Sequence, residues 1–311
     1  MNARTALWRI AQLALVVVIT WGIVRALAPE LARVSLEDFS RYPPSIPLLL
    51  ASTILLLAFY VMHAWLWRGM TAELGGRRPT FRTALHIYFI SGLGRYIPGK
   101  LWQVAGMALL AQRAGISAVA ATAASIIAQF AFMTTGLLYL ALMLPAWGGA
   151  LPVVIALAAL LIVVVTYRGR HWVAMHIKRL QPAADMLDRL TAGHALKWWL
   201  GYALSWIILG AAFVLFASSF VTLGLAAQRH VAGSVAAAYL GGLLAFFSIA
   251  GLGVREAVMG SLLVSVMSPP AALVVAVASR VWFTLGELLP ILFAKKTTWS
   301  NEGSGHNSDV Q

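Results

Sequence analysis

The chain has 311 residues, 61% hydrophobic and only 11% charged, with a mean hydropathy of +0.84, a net charge of +13 and no cysteine. This excludes a soluble globular domain, disulfides, thiol catalysis and Cys-ligated metal, and points to an all-α polytopic membrane protein. Such a positive charge suggests nucleic acid in a soluble chain, but here most Lys and Arg fall in short loops between apolar runs. That is the positive-inside pattern, so no nucleic-acid partner is expected.

Arg4 and Arg9 precede an uncharged run from Ile10 to Val24, long enough for a first span if Arg25 snorkels. Ala26-Leu27-Ala28 resembles a signal-peptide cleavage site, but Arg25 before it and Pro29 after it argue for retention. Pro29 to Pro47 reads as a loop or short surface helix. Leu48 to Trp67 is a second span, closed by Trp65, Trp67 and Arg68 as at a membrane interface. Arg68, Arg77, Arg78 and Arg82 against Glu73 then mark a cytoplasmic loop.

Phe81 to Arg113 holds two uncharged runs of 12 residues, Thr83 to Gly94 and Leu101 to Gln112, around the polar knot Arg95-Tyr96-Ile97-Pro98-Gly99-Lys100. Each run makes roughly 18 Å of helix against a hydrocarbon core of roughly 30 Å. The spacing predicts a re-entrant hairpin, about 83–112, whose Gly/Pro-broken tip faces a site inside the protein.

Ile116 to Leu144 is a long span rich in small residues that permit close helix contact. The uncharged loop from Pro145 to Pro152 suits the outside, and Val153 to Tyr167 returns inward. Arg168 to Lys197 is the most basic segment. It reads either as a solvated loop or, through Trp172, Val173, Ile177 and Leu180, as partly an interfacial helix touching anionic headgroups. Trp198 to Val221 is another outward span, followed by a short loop carrying Arg229 and His230.

Val231 to Val254 is uncharged, Arg255-Glu256 interrupts, Ala257 to Ser279 is uncharged again, and Arg280 and Glu287 lie in the closing apolar run before Lys295-Lys296. Ser91-Gly92-Leu93-Gly94-Arg95 returns, loosened by one residue, as Ala250-Gly251-Leu252-Gly253-Val254-Arg255. Matching broken segments in two halves predict an inverted repeat, with a second re-entrant segment at about 235–268. The alternative is two ordinary spans around a tight Arg-Glu turn. Both leave the C-terminus cytoplasmic, like the N-terminus. Residues 1–296 are expected to form one integral membrane domain and 297–311 a disordered polar tail.

Arg95, Lys100, Arg255 and Arg280 face Glu256 and Glu287 as the charges at membrane depth, where an unpaired one costs at least roughly 2.5 kcal/mol. Their formal sum suits an anionic ligand. Half-helices starting near Pro98 and after Gly253 would aim N–H groups at it, and a phosphate group is the natural guest. Tyr96 and Trp102 are expected to line the pocket, while Gly92, Gly94, Pro98, Gly99, Gly251 and Gly253 bend the backbone. Glu256 or Glu287 would orient the arginines or carry a coupling proton. The competing reading is buried ion pairs that only fix helix register.

Gly94 to Lys100 matches the P-loop pattern, but Leu101 stands where a magnesium-binding hydroxyl belongs and no βα unit precedes it. The histidines form no metal set: His171 and His176 do not share a helical face, and His63 and His86 read as packing residues. A GxSxG elbow is missing, and no Asp/Glu pair lies at a helical spacing inside the membrane. The expectation is therefore no catalytic site, metal or cofactor.

Gly94-Arg95-Tyr96-Ile97-Pro98-Gly99-Lys100-Leu101-Trp102, followed by Gly251-Leu252-Gly253-Val254-Arg255-Glu256, resembles the lysylphosphatidylglycerol synthase transmembrane-region family, also called flippase-like. The likeness runs from about Leu48 to Lys296 and departs at Ile249-Ala250, where Pro-Gly is expected. It implies a helical domain of the bacterial cytoplasmic (inner) membrane that moves an anionic phospholipid or lipid-linked intermediate between leaflets. Bifunctional members add a cytoplasmic aminoacyltransferase, and with 15 residues after Lys296 that activity is not expected here. Two other roles are open: non-catalytic partner of a separate synthase or glycosyltransferase, and membrane-embedded transferase acting on a lipid phosphate.

Overall fold

Pro43 and Pro44 hold the backbone out of helix before Ser45, whose carbonyl accepts from the Leu49 N–H at 3.0 Å and opens α1, Ile46–Gly75, with Pro47 in its first turn. The computed structural model describes residues 40–75, 77–96, 102–144, 191–244 and 253–293. Among them are eight α-helices and no strand. After α1 come α2 (Phe81–Gly92), a 3-10 turn (Leu93–Tyr96), α3 (Trp102–Arg113), α4 (Ala118–Met143), α5 (Ala192–Ser218), α6 (Leu225–Leu244), α7 (Val254–Leu263) and α8 (Pro269–Phe293).

Four helices, α1, α4, α5 and α8, are long and apolar enough to cross a membrane. The chain is thus an all-α, multi-pass membrane protein. The expected spans at Ile10 to Val24 and Val153 to Tyr167, residues 168–190 of the basic segment and the 297–311 tail lie outside the described residues.

Polar caps start the helices. The Thr80 hydroxyl accepts from Thr83 N at 3.2 Å to open α2, and Ser117 accepts from Ala120 N at 3.3 Å to open α4. Thr191 and His194 cap each other at the head of α5, both at 3.3 Å. The C-terminus of α3 ends on Gly115, whose φ of 68° only glycine adopts freely, and the Arg77 guanidinium donates to its carbonyl at 3.2 Å.

The long helices pack through small residues. A Cβ at Gly136 would sit 2.4 Å from the Trp206 ring, and one at Gly201 would sit 2.5 Å from Leu66. The Trp206 ring stacks on Phe132 at 4.3 Å, with Nε1 donating to the Phe132 carbonyl at 2.9 Å. α1 and α5 run antiparallel: Ser45 N donates to Ser219 O at one end, and Lys197 pairs with Glu73 at the other. α8 runs parallel to α1, with Tyr42 bonded to Ser268 and Trp282 Nε1 donating to Thr53 at 3.1 Å.

Two hairpins of short elements fill the bundle. In the first, α2 and α3 have 12 residues each, and Ser91 packs against Gly106. It begins and ends at the Gly75 end of α1, where Arg77 holds Gly115. Its turn touches Tyr60, halfway along α1. In the second, α6 has 20 residues and α7 only 10. It begins and ends at the opposite end of the bundle, where His230 Nε2 meets the Leu262 carbonyl at 3.0 Å and the Ser265 hydroxyl at 2.9 Å.

Three expectations change. α1 continues through Arg68 and Glu73 to Gly75, so only residues 76–80 connect it to α2. Arg229 and His230 lie on the first turns of α6, not in a loop. The alternative of two ordinary spans over Val231 to Ser279 fails in its second half: α7 stops at Leu263 and Pro269 opens α8, because two prolines after Ser268 cannot continue a helix but suit a first turn.

Candidate functional site

The 3-10 turn after Gly92 lies directly on the start of α3. A Cβ on Gly94 would fall 2.6 Å from Gln103 N and 2.7 Å from Trp102 C, so only glycine permits this approach. Arg95 is anchored through Nε to the Gly92 carbonyl at 3.1 Å, and its Nη1 pairs with Glu287 Oε1 on α8. Tyr96 donates to Glu287 Oε2 at 2.7 Å and Tyr60 to Oε1 at 2.9 Å. The carboxylate thus receives donors from α1, the hairpin turn and its guanidinium, which offsets its desolvation. A pocket of about 250 Å³ adjoins it, lined also by Tyr88, Phe89, Leu93 and Ile291.

The second hairpin presents the other charges. Gly253 precedes α7 with a φ of 81°, and its N–H donates to Glu256 Oε2 at 2.8 Å. The other oxygen of Glu256 lies 3.8 Å from Arg280 Nε on α8, a charge contact beyond hydrogen-bond reach between side chains 7% and 4% exposed. Arg255 lies between two rings, its Cζ 4.9 Å from the centroids of both Tyr239 and Phe283. A second pocket, about 180 Å³, is lined by Arg255, Glu256, Met259, Ser279, Arg280 and Phe283.

α8 carries one partner for each hairpin. Arg280 and Glu287 are two turns apart, about 10.5 Å along the axis, on the same face. Glu287 also feels the charges of Arg280 and Arg255, more weakly than that of Arg95.

Arg95, Tyr96 and Glu287 form one group, with Gly92 and Gly94 at its bend, and Arg255, Glu256 and Arg280 form a second, with Gly253 at its bend. The arrangement differs in two respects. Arg95 and Arg280 each face a carboxylate of this chain, and the N–H of Gly253, just before α7, is turned to Glu256. Trp102 opens α3 and is 55% exposed, outside both pocket linings. Lys100, Pro98, Gly99 and Gly251 lie outside the described residues. Tyr60, Tyr88, Tyr239 and Phe283 belong to the site and were not anticipated. The available signal was a tyrosine in mid-span, since a buried hydroxyl needs a partner and tyrosine otherwise favours the interface.

Residues 9–286 match the family described as lysylphosphatidylglycerol synthase TM region. The chain belongs to that family. Membership ties this membrane protein to lipid biology, and the match covers both hairpins and α8 as far as Gly286. No curated protein and no solved structure matches the chain.

Proposed function

We propose that this member of the lysylphosphatidylglycerol synthase TM-region family moves an anionic lipid, or an anionic lipid-linked intermediate, between membrane leaflets. The observation that carries the reading is the meeting of two hairpins, entered from opposite ends of the bundle, on one buried helix face with charges of both signs. Broken helices converging near the midplane are how transporters hold a polar group at a depth where water is absent. Both hairpins are re-entrant in this reading and form an inverted pair. The lipid headgroup enters between the tips while its chains stay in the bilayer.

Transport also suits the carboxylates. Glu256 is engaged by Gly253 and Arg280, and Glu287 by Arg95 and two tyrosines, so neither stands ready as a general base. The reading is of a transporter, not an enzyme. Arg68, Arg77, Arg78 and Arg82 support the reading that the Gly75 end of α1 faces the cytoplasm of a bacterial inner membrane, with both termini on that side.

The test is reconstitution of the purified chain in liposomes with head-labelled phosphatidylglycerol, phosphatidylcholine or a polyprenyl pyrophosphate. Exchange above protein-free vesicles, fastest for an anionic lipid, is expected. Background exchange for all three, with and without a proton gradient, would overturn the proposal.

A further inference from the structure

Tyr239 stands where the two hairpins meet. It lies in the last two turns of α6, the first leg of the second hairpin, and lines neither pocket. Arg255 lies over its ring, and Phe283 on α8 meets the same guanidinium, with Cζ 4.9 Å from each centroid. The Tyr239 ring stands nearly perpendicular to Phe132 on α4 at 5.2 Å and to Trp206 on α5 at 5.8 Å. It is also within electrostatic range of Arg95, Tyr60 and Tyr88, so it reaches the group around Glu287 as well.

Both walls of this clamp are held from outside. Phe132 and Trp206 are stacked at 4.3 Å, and Trp206 Nε1 donates to the Phe132 carbonyl, so Tyr239 rests on a pair that is itself fixed. Phe283 is flanked by Trp282 at 4.9 Å, which stacks on Phe216 of α5 at 4.6 Å and donates to Thr53 of α1. A cation is drawn to ring faces, and a planar guanidinium held by two of them keeps its in-plane N–H donors for other partners. Arg95 and Arg280 meet carboxylates, whereas no carboxylate among the described residues pairs with Arg255. Its position is set by the rings.

We propose that Tyr239 is a positioning residue: together with Phe283 it seats the Arg255 guanidinium at the tip of the second hairpin and ties that position to the aromatic stack between α4 and α5. It acts through Arg255, and its ring face, not its hydroxyl, is the working part. The inference rests on the transport reading for one point, that Arg255 serves leaflet exchange.

The first measurement is free of transport. Magnetic resonance of the full chain in detergent micelles, with nitrogen-labelled arginine, gives the side-chain Nε–H signals, and that of Arg255 is the one lost in Arg255→Lys. Two ring faces shift it upfield. Tyr239→Phe is expected to keep the shift and Tyr239→Leu to move the signal back downfield. Tyr239→Met, which fills the space without a ring, takes the place of Tyr239→Leu should that variant not fold.

The second measurement is leaflet exchange of head-labelled phosphatidylglycerol in liposomes. Tyr239→Leu is expected to slow it about tenfold and Tyr239→Phe by less than about twofold, the difference made by a desolvated ring face beneath a cation. Because Tyr239 acts through Arg255, adding Tyr239→Leu to Arg255→Gln should slow exchange no further than Arg255→Gln alone. An Arg255 signal unmoved by Tyr239→Leu overturns the clamp. Tyr239→Phe as slow as Tyr239→Leu makes the hydroxyl the working part and overturns the proposal, and an added loss in the double variant makes Tyr239 merely structural and does so too. A parent whose shifted signal depends on Tyr239 but which moves no lipid sinks the transport reading and leaves the clamp standing.

Discussion

Glu287 on α8 binds Arg95 of the first hairpin across 192 positions of sequence, and the same carboxylate takes the hydroxyls of Tyr96 and Tyr60. The Arg95 and Glu287 side chains are only 21% and 13% exposed, so the pair joins hairpin, α1 and α8 with little water present. Removing one partner leaves the other buried and uncompensated. Glu287→Gln and Arg95→Gln should each cost about 3–5 kcal/mol, and the double variant clearly less than their sum. Unfolding in detergent over the four-member cycle measures this, and additive losses would refute the coupling.

Tyr60 and Tyr202 are both buried and both carry a bonded hydroxyl, but with different acceptors. Tyr60 donates to the Glu287 carboxylate at 2.9 Å, whereas Tyr202 meets only the Met70 sulfur at 3.9 Å. Tyr60→Phe should cost about 1.5–3 kcal/mol, as for a hydrogen bond to a charged group, and Tyr202→Phe well under about 1 kcal/mol. The same unfolding assay separates them.

The close approach of α4 and α5 depends on Gly136. A Cβ there meets the Trp206 ring at 2.4 Å, and that ring is stacked on Phe132 and bonded to its carbonyl, so it has nowhere to go. Gly136→Ala should lose about 1–3 kcal/mol through overpacking. On α1, Gly69 has nothing within 4 Å of an added Cβ, and Gly69→Ala should be neutral or gain up to about 1 kcal/mol from helix propensity. Thermal midpoints of the two variants give the comparison.

Much of the architecture was legible in the sequence because membrane helices must satisfy their own backbone, which makes length and polarity decisive. Twelve uncharged residues on each side of Arg95 to Lys100 foretold two short helices, and α2 and α3 follow those bounds within two residues. Gly253 foretold the start of α7. Composition was silent on pairing: Arg280 and Glu287 were visible as charges in an apolar run, but that they face different hairpins depends on packing between segments far apart in sequence. The tyrosines were missed for a related reason, since Tyr60 counts as one more aromatic in a hydrophobic run until its acceptor on α8 is known. The end of α1 was set too early because Arg68 read as a boundary, whereas the helix continues to Gly75 with Arg68 Nε bonded to the Pro79 carbonyl at 2.6 Å.

Gly253 precedes α7 at a φ of 81°, with nothing among the described residues within 4 Å of an added Cβ, so Gly253→Ala tests backbone strain. With ψ at −46° this backbone lies in a region that a residue with a Cβ rarely adopts, which should cost about 1–3 kcal/mol and loosen the Glu256 cap. Lower thermal stability with leaflet exchange slowed severalfold is expected, and a variant equal to the parent in both would show that the tip tolerates other geometries.

The most direct measurement compares leaflet exchange of head-labelled phosphatidylglycerol in liposomes holding the parent or the Arg95→Gln/Glu287→Gln double variant. The double change keeps the charge balance while removing the contact that seats the first hairpin on α8, and circular dichroism and gel filtration establish that it is folded. The account predicts exchange above background for the parent and at background for the folded variant. Equal exchange by the two, or none by the parent, would contradict it.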